Sequence, residues 1–230
     1  MTSTALITAA GEGKRMGKLV AKQYLHLKGI PVLARTLILF QCHTLVDRIT
    51  VVVPPGDEEF CADAIIRPYG LGKVTHVIAG GPTRQASVYN GLSTVQNGGL
   101  VAIHDGVRPL VAPEVITRTL EVAGRTGAAV ACSRVKETVK KRANEYLETI
   151  PRSNLWLAHT PQTFAVELIR NAHEQALRDG FEGTDDASLI ERLGHPVSIV
   201  EDSDENLKIT TESDLELASF LIERGHSSER

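Results

Sequence analysis

The sequence predicts an α/β fold in which a mostly parallel central sheet lies between two layers of helices. Short apolar or β-branched runs alternate with segments of helical spacing from residue 4 to residue 135, which is typical of parallel sheets. Near residue 136 this order gives way to strand-like alternation, and the order of strands and helices resumes near residue 160. We therefore expect one Rossmann-like three-layer domain, residues 1–230, with an inserted β-arm at about residues 136–155.

The elements can be placed in chain order. Apolar runs that end at glycine, proline or polar residues predict strands at 4–10, 47–56, 73–81, 100–109 and 128–135. Helical spacing with capping residues predicts helices at 31–43, 57–70, 84–99 and 112–127. Beyond the arm we expect a helix within 160–180, helices at 183–194 and 210–225, and a strand at 195–202. Thr211 and Asp214 form a capping-box pattern at the start of the last helix.

The arm is predicted to be a ribbon of two strands, at about 136–142 and 145–150, joined through Ala143-Asn144. A two-stranded ribbon is marginally stable by itself. It would therefore lie either against a partner subunit or on its own domain, and the pattern leaves both possibilities open.

The composition is that of a globular protein, with 42% hydrophobic and 23% charged residues among 230. The net charge of −3 argues against a surface devoted to nucleic acid. The three cysteines form no CxxC pair, so we expect neither a disulfide framework nor a zinc site, and a reducing cytoplasm fits. We expect no secretory signal, and no run approaches the ~20 apolar residues of a membrane span.

Ligands of parallel sheets bind beyond the strand ends, so loops 11–23, 80–87 and 104–109 form the candidate site. The first loop joins Gly11 and Gly13 to four cations: Lys14, Arg15, Lys18 and Lys22. A bound phosphate would offset their mutual repulsion, and a solvated basic surface is the alternative. A dinucleotide fingerprint fails because Met16 replaces the third glycine. A P-loop fails on spacing and because Leu19 follows the lysine.

Residues 9–24, AAGEGKRMGKLVAKQY, resemble the AAGxGxRM…PKQ signature of nucleotidyltransferases that activate sugars and sugar alcohols. Over about residues 5–220 the chain is similar to the 2-C-methyl-D-erythritol 4-phosphate cytidylyltransferase family. The similar segments are AGGPTRQASVYNGL (79–92), HDGVRP (104–109), ETIPRSNLWLAHTPQTF (148–164), GTDDASLIE (183–191) and ENLKITTESDL (205–215). Ala21 departs from the usual proline, and Gly106 and Val107 replace two alanines.

The resemblance implies transfer of CMP from CTP to 2-C-methyl-D-erythritol 4-phosphate, with release of pyrophosphate, in the non-mevalonate isoprenoid route. The attacking phosphate oxygen is already ionised, so no general base is needed, and cations with Mg²⁺ on the CTP phosphates would carry the catalysis. Site roles follow by similarity. Transition-state stabilisation is expected from Arg15 and Lys22, and nucleotide binding from Ala9, Ala10, Gly11, Gly13, Gly80, Gly81 and Ser87. Acceptor binding is expected from Asp105, Arg108, Thr138, Arg152, Thr160, Thr184 and Lys208.

The resemblance also implies a homodimer, because Thr138 and Arg152 of the arm would reach into the neighbouring subunit's site. No protein metal site is implied. The eight histidines lack metal-ligand spacing, and His104 would point away from the face of Asp105, so a structural role is expected for it.

Three other functions remain as alternatives. Ribitol-5-phosphate cytidylyltransferase shares the fold and the arm, although the GTDDAS and GKRM…KQY contexts favour methylerythritol phosphate. A dinucleotide-dependent oxidoreductase is disfavoured by the missing third glycine and by the prolines after the second strand. A catalytically silent nucleotide-binding protein would have no reason to keep Arg15, Lys22, Arg152 and Lys208 together.

Overall fold

The computed structural model describes residues 1–11 and 21–228. Its strands are β1 Ser3–Thr8, β2 His26–Leu27, β3 Ile30–Pro31, β4 Arg48–Val53, β5 Val74–Ala79, β6 Leu100–Asp105, β7 Ala128–Arg134, β8 Val139–Ala143, β9 Tyr146–Ile150, β10 Trp156–Ala165 and β11 Ser198–Glu201. Its α-helices are α1 Val32–Cys42, α2 Glu58–Cys61, α3 Arg84–Leu92, α4 Pro113–Thr126, α5 Val166–Arg178, α6 Asp186–Arg192 and α7 Glu212–Ser228. A π-helical turn, Ala62–Ile66, continues α2.

Within this part of the chain, seven strands form one sheet in the order β11-β7-β10-β6-β1-β4-β5. All neighbours in it are parallel except β10, which runs antiparallel to β6 and β7. The predicted α/β class with a mostly parallel sheet is therefore confirmed. After β5 the chain returns to the other side of β1 to form β6, and such a switch in strand order opens a crevice at the strand ends.

Apolar side chains of the sheet alternate between two helical layers. On β1, Ile7 lies in a buried cluster with Leu37 and Phe40 of α1, while Leu6 lies in a second cluster with Val88 of α3. Alternation is required because successive side chains of a strand point to opposite faces. The clusters hold the sheet rigid between its layers and leave the strand ends as the open edge.

Strand β10 is the main difference from the predicted elements. The helix predicted within 160–180 is confirmed as α5, but the sequence indicated no strand before it, and β10 extends to Ala165. The segment carries little apolar pattern because Thr160, Gln162 and Thr163 are buried polar residues. Their polarity is tolerated where other segments supply hydrogen bonds, as when Gln162 Oε1 accepts from the backbone N–H groups of Asp186 and Ala187.

The arm and the last helix follow the sequence closely. Strands β8 and β9 form a separate antiparallel ribbon that turns at Asn144, whose φ is 57°. At the start of α7 the backbone N–H of Asp214 donates to Thr211 Oγ1, and the Thr211 N–H donates to the Asp214 carboxylate. The predicted capping box is therefore confirmed.

Gly91 lets α3 pack closely on the sheet, and its replacement tests that packing. A Cβ there would lie 2.7 Å from Leu6 Cδ1 and 3.0 Å from Val52 Cγ2, and both side chains are fully buried. We expect Gly91→Ala to lower the free energy of unfolding by about 1–3 kcal/mol, measured by chemical denaturation. The matched control is Gly124→Ala on α4, where the nearest atom, Leu100 Cδ1, is 3.8 Å away. The control should stabilise the protein by up to ~1 kcal/mol, and equal effects of the two substitutions would contradict this account.

Candidate active site

A cavity of about 820 Å³ lies beyond the carboxyl ends of β1, β4, β5 and β6. Each of these strands ends in residues that line it, and Lys22, Ser87 and Lys208 complete the wall. The strand-end residues are Thr8, Ala9, Ala10, Gly11, Pro54, Pro55, Gly80, Gly81 and Asp105. The cavity therefore occupies the crevice that the change in strand order creates.

One wall is built from backbone and small side chains. Ser87 lies in the first turn of α3, where its Oγ accepts from the Gly81 N–H at 3.1 Å and donates to the Thr83 carbonyl at 2.9 Å. A Cβ on Gly80 would lie 2.4 Å from Ala10 Cβ and 2.8 Å from Ser87 Oγ. Glycine is thus required where the loops after β1 and β5 meet α3, and the exposed backbone suits close approach of a flat or anionic ligand.

The opposite wall is centred on the carboxylate of Asp105, at the end of β6. Its Oδ2 accepts from Arg108 Nε at 3.0 Å and lies 3.1 Å from Lys208 Nζ, while its Oδ1 lies 3.8 Å from Arg84 Nε. Burial by itself would raise the pKa of Asp105, but the charges of Lys208, Arg84 and Arg108 hold it well below its usual range. The ionised carboxylate thereby fixes cationic groups at the edge of the cavity.

Lys208 is brought to Asp105 by hydrogen bonds between distant segments. The Ile209 N–H donates to the Val107 carbonyl at 2.9 Å, and Arg108 Nη1 donates to the Asn206 carbonyl at 2.6 Å. Asn206, which is buried, donates from Nδ2 to the Thr160 carbonyl at 2.8 Å. The segments 104–109, 205–210 and the middle of β10 are therefore held as one unit.

His104 and Thr160 fix this unit from behind. Thr160 Oγ1 accepts from the Asp105 N–H at 3.1 Å, so its proton is directed at His104 Nδ1, 3.0 Å away. His104 Nε2 then donates to the Arg108 carbonyl at 3.1 Å. Burial lowers the pKa of His104 to about 4, which keeps the ring neutral in this arrangement. The geometry agrees with the structural role predicted for His104.

The cavity gathers most, but not all, of the predicted site residues. The ones that line it are Ala9, Ala10, Gly11, Lys22, Gly80, Gly81, Ser87, Asp105 and Lys208. Arg108 and Thr160 are buried behind Asp105, and Thr160 uses its hydroxyl within the protein. Thr138, Arg152 and Thr184 are exposed and lie outside the cavity lining. Gly13 and Arg15 lie outside the described residues.

Sequence reasoning missed several side chains that build the site. Arg84 lines the cavity, and Asn206, Gln162 and Asp186 are buried residues that hold its walls. Each lies inside a segment that the resemblance had marked, so the signal was present in the sequence. What the segments did not indicate is which of their polar residues pair with one another.

The described residues offer little for a resident metal ion. They contain no group of three or more histidine, cysteine, aspartate or glutamate side chains suited to hold one. Among the described residues that line the cavity, Asp105 is the one with a carboxylate, and its oxygens already face three cations. In the same part of the chain, no helix has the length and apolar character needed to cross a membrane.

Comparison with known proteins assigns the family. The model of the family described as IspD, 2-C-methyl-D-erythritol 4-phosphate cytidylyltransferase, matches residues 3–224. The chain belongs to this family. An enzyme of that name from Geotalea uraniireducens (strain Rf4) is 45% identical over 231 residues, covering 99% of each chain. One from Syntrophotalea carbinolica is 46% identical over 226 residues, covering 97% of each.

Solved structures of the 2-C-methyl-D-erythritol 4-phosphate cytidylyltransferase family have the same fold. The crystal structure from Thermus thermophilus is 38% identical, with a TM-score of 0.79 and coverage of 96% of this chain and 98% of that one. The 4-diphosphocytidyl-2C-methyl-D-erythritol synthase of Anaerococcus prevotii is 31% identical, with a TM-score of 0.85 and 96% coverage of both. The family expected from the sequence segments is therefore confirmed.

The buried neutral ring of His104 predicts how stability depends on pH. Its folded pKa of about 4 lies below the ordinary 6.5, so its contribution is complete above pH ~6.5 and is lost as the pH falls toward ~4. When the pH falls from 7 to 5, the wild type should therefore lose more unfolding free energy than His104→Asn does. We expect the difference between the two losses to be on the order of 1–2 kcal/mol.

The measurement is chemical denaturation of both proteins at the two pH values. The remaining histidines are common to both, so the difference between the two pH dependences isolates His104. An identical pH dependence in wild type and variant would contradict a neutral, buried His104.

Proposed function

We propose that this protein transfers CMP from CTP to 2-C-methyl-D-erythritol 4-phosphate. An acceptor phosphate oxygen forms a bond to the α-phosphorus of CTP, the bond from that phosphorus to the bridging oxygen breaks, and pyrophosphate leaves with the electron pair. The carrying observation is the cavity in which the backbone wall of Gly80, Gly81 and Ser87 faces the cations around Asp105. The activity named for relatives that match the whole chain supports the same reaction.

The residues present suit a reaction limited by electrostatics rather than by proton transfer. The nucleophile is a phosphate monoester, which carries negative charge at neutral pH, so the cavity needs no histidine or carboxylate base. Lys22 and Lys208 line the cavity and would oppose the charge that builds between donor and acceptor phosphates. Arg15 is proposed to act with Lys22 on the α-phosphate and the leaving group.

The acceptor would bind beside Lys208, whose ammonium is held by Asp105 at 3.1 Å. CTP would place its base against the Gly80–Ser87 wall, where backbone groups of the glycine turn can form hydrogen bonds with the edge of a pyrimidine. This division gives each substrate one side of the cavity and brings the reacting groups between Lys22 and Lys208.

The contacts of Asp105 also indicate how a Mg²⁺ ion would be held. With Asp105 engaged by three cations, Mg²⁺ would be held mainly by the CTP phosphates, as it commonly is in phosphoryl-transfer sites. When bound, the ion supplies neutralisation of the triphosphate charge. The chain's own cations then orient the acceptor and the nucleotide.

We further propose a homodimer in which the arm completes the neighbouring site. In the described residues the β8–β9 ribbon pairs with no other strand, and Tyr146 and Leu147 at its turn are 77% and 69% exposed. Arg152 at its base donates to the Lys136 carbonyl but lies outside the cavity lining of its own subunit. A partner surface would cover the apolar turn and explain why Thr138 and Arg152 do not reach their own cavity.

The reaction is tested by measuring pyrophosphate release with Mg²⁺. CTP, UTP, ATP and GTP are each combined with methylerythritol phosphate, with ribitol 5-phosphate, or with no acceptor. We expect release with CTP and methylerythritol phosphate. Turnover with ribitol 5-phosphate alone would reassign the acceptor, and no release in any combination from folded protein would support the catalytically silent alternative.

The shared site is tested by mixing two inactive variants. Lys22→Ala and Arg152→Ala should each lower turnover by about 10²-fold or more because each removes a cation from the reacting phosphates. If Arg152 acts on the partner's site, a mixed dimer contains one intact site. Equal mixing should then restore about a quarter of wild-type activity.

The control for mixing is Lys22→Ala combined with a second Lys22→Ala preparation, which cannot form an intact site. Absence of recovery after verified subunit exchange would place Arg152 in its own subunit's site. A monomer at working concentration would contradict the dimer itself.

A further inference from the structure

Arg84 lies between two carboxylates that belong to different segments. It is the first residue of α3, directly after the helix cap Thr83. Its Nη2 donates to Asp186 Oδ2 at 2.7 Å, and its Nε lies 3.8 Å from Asp105 Oδ1. The guanidinium therefore connects the nucleotide wall to the acceptor side of the cavity.

Asp186 is a rigid anchor for this guanidinium. Its side chain is 1% exposed, and its backbone N–H donates to Gln162 Oε1 at 3.1 Å. The neighbouring Asp185 caps α6 by accepting from the Ser188 N–H at 2.9 Å and also accepts from Gln162 Nε2 at 2.8 Å. The start of α6 is thus fixed to β10, which holds the backbone of Asp186 in place beside Arg84.

The charge of Asp186 depends on Arg84. Burial by itself would raise the pKa of Asp186, but the positive charge of Arg84 holds it below its ordinary value. The other Asp186 oxygen lies 3.5 Å from His173 Nε2, a longer contact than the one with Arg84. A buried carboxylate needs such a cation, and removal of either partner leaves an uncompensated charge.

The two oxygens of Asp105 face different cations. Oδ2 faces Arg108 and Lys208, and Oδ1 faces Arg84. Because Asp186 compensates most of the Arg84 charge, Asp105 retains its attraction for Lys208. Without Asp186, the Arg84 guanidinium would be drawn to Asp105 and would compete with the lysine.

We propose that Arg84 and Asp186 act as a positioning pair for the acceptor site. Asp186 holds the guanidinium in place, the guanidinium sets the orientation of the Asp105 carboxylate, and that carboxylate presents the Lys208 ammonium to the acceptor phosphate. The inference rests on the proposed function and deepens it, and it assigns neither residue a contact with substrate.

The test compares steady-state constants of wild type, Asp186→Asn, Arg84→Gln and the double variant, using CTP and methylerythritol phosphate. We expect each single substitution to raise the KM for the acceptor by about 5- to 50-fold, within the range seen for interacting neighbours. In Asp186→Asn the KM for CTP should change by less than about twofold, because Asp186 lies outside the described cavity lining. The double variant should be no worse than Arg84→Gln, because Asp186 acts through Arg84.

The matched control is Arg192→Gln, also on α6. Arg192 pairs with Asp179 at 2.8 Å and is 34% exposed at its side chain, against 32% for Arg84, but it lies outside the cavity lining. It should leave both KM values unchanged. Arg84→Lys keeps the positive charge, but a lysine has no planar fork to span two carboxylates. It should therefore also raise the KM for the acceptor. This variant replaces Asp186→Asn in the test if Asp186→Asn does not fold.

The outcomes separate the two proposals. The variants of an active wild type could lose turnover only in proportion to their folded fraction and keep both KM values. That result would make Arg84 and Asp186 a structural ion pair and overturn the inference. Additive effects in the double variant would also overturn it. A folded wild type that releases no pyrophosphate would overturn the proposed function itself, and this role with it.

Discussion

The carboxylate of Asp105, buried at the end of β6, is the group on which the geometry of the site depends. It holds Arg108 from its own loop, Lys208 from the segment before α7 and, at longer range, Arg84 from α3. A buried charge is costly unless it is compensated, and the convergence of these segments supplies that compensation. The same requirement that stabilises the carboxylate therefore collects positive charge at one side of a cavity.

The sheet topology decides where this convergence happens. Return of the chain from β5 to β6 on the far side of β1 opens the crevice, and Gly80 permits contact between the loops after β1 and β5. One wall thus consists of backbone and small side chains, and the other is centred on the Asp105 carboxylate and the cations around it. For a reaction between two phosphorylated molecules, this arrangement supplies orientation and charge neutralisation, the contributions that phosphoryl transfer chiefly needs.

Strand β10 links the two sides of the site, although its residues show little of a strand pattern. The Thr160 hydroxyl accepts a hydrogen bond from the Asp105 N–H and donates one to His104, while Gln162 holds the start of α6 and thereby Asp186. Polar side chains in the middle of a sheet are costly unless paired. Here their partners are the loops that carry the charged groups, so the strand's polarity is a consequence of its role in the site.

The sequence by itself determined the α/β class, most of the elements, the family and the loops that surround the cavity. These follow from local signals: apolar alternation, capping residues such as Thr211 and Asp214, and segments that keep their order along the chain. It did not indicate β10, the pairing of Arg84 with Asp186, or the full use of the Thr160 hydroxyl within the protein. Those features join residues as much as 102 positions apart. Only the tertiary structure decides them, because a polar side chain's pattern in sequence does not show which distant group will satisfy its charge or hydrogen bond once both are buried.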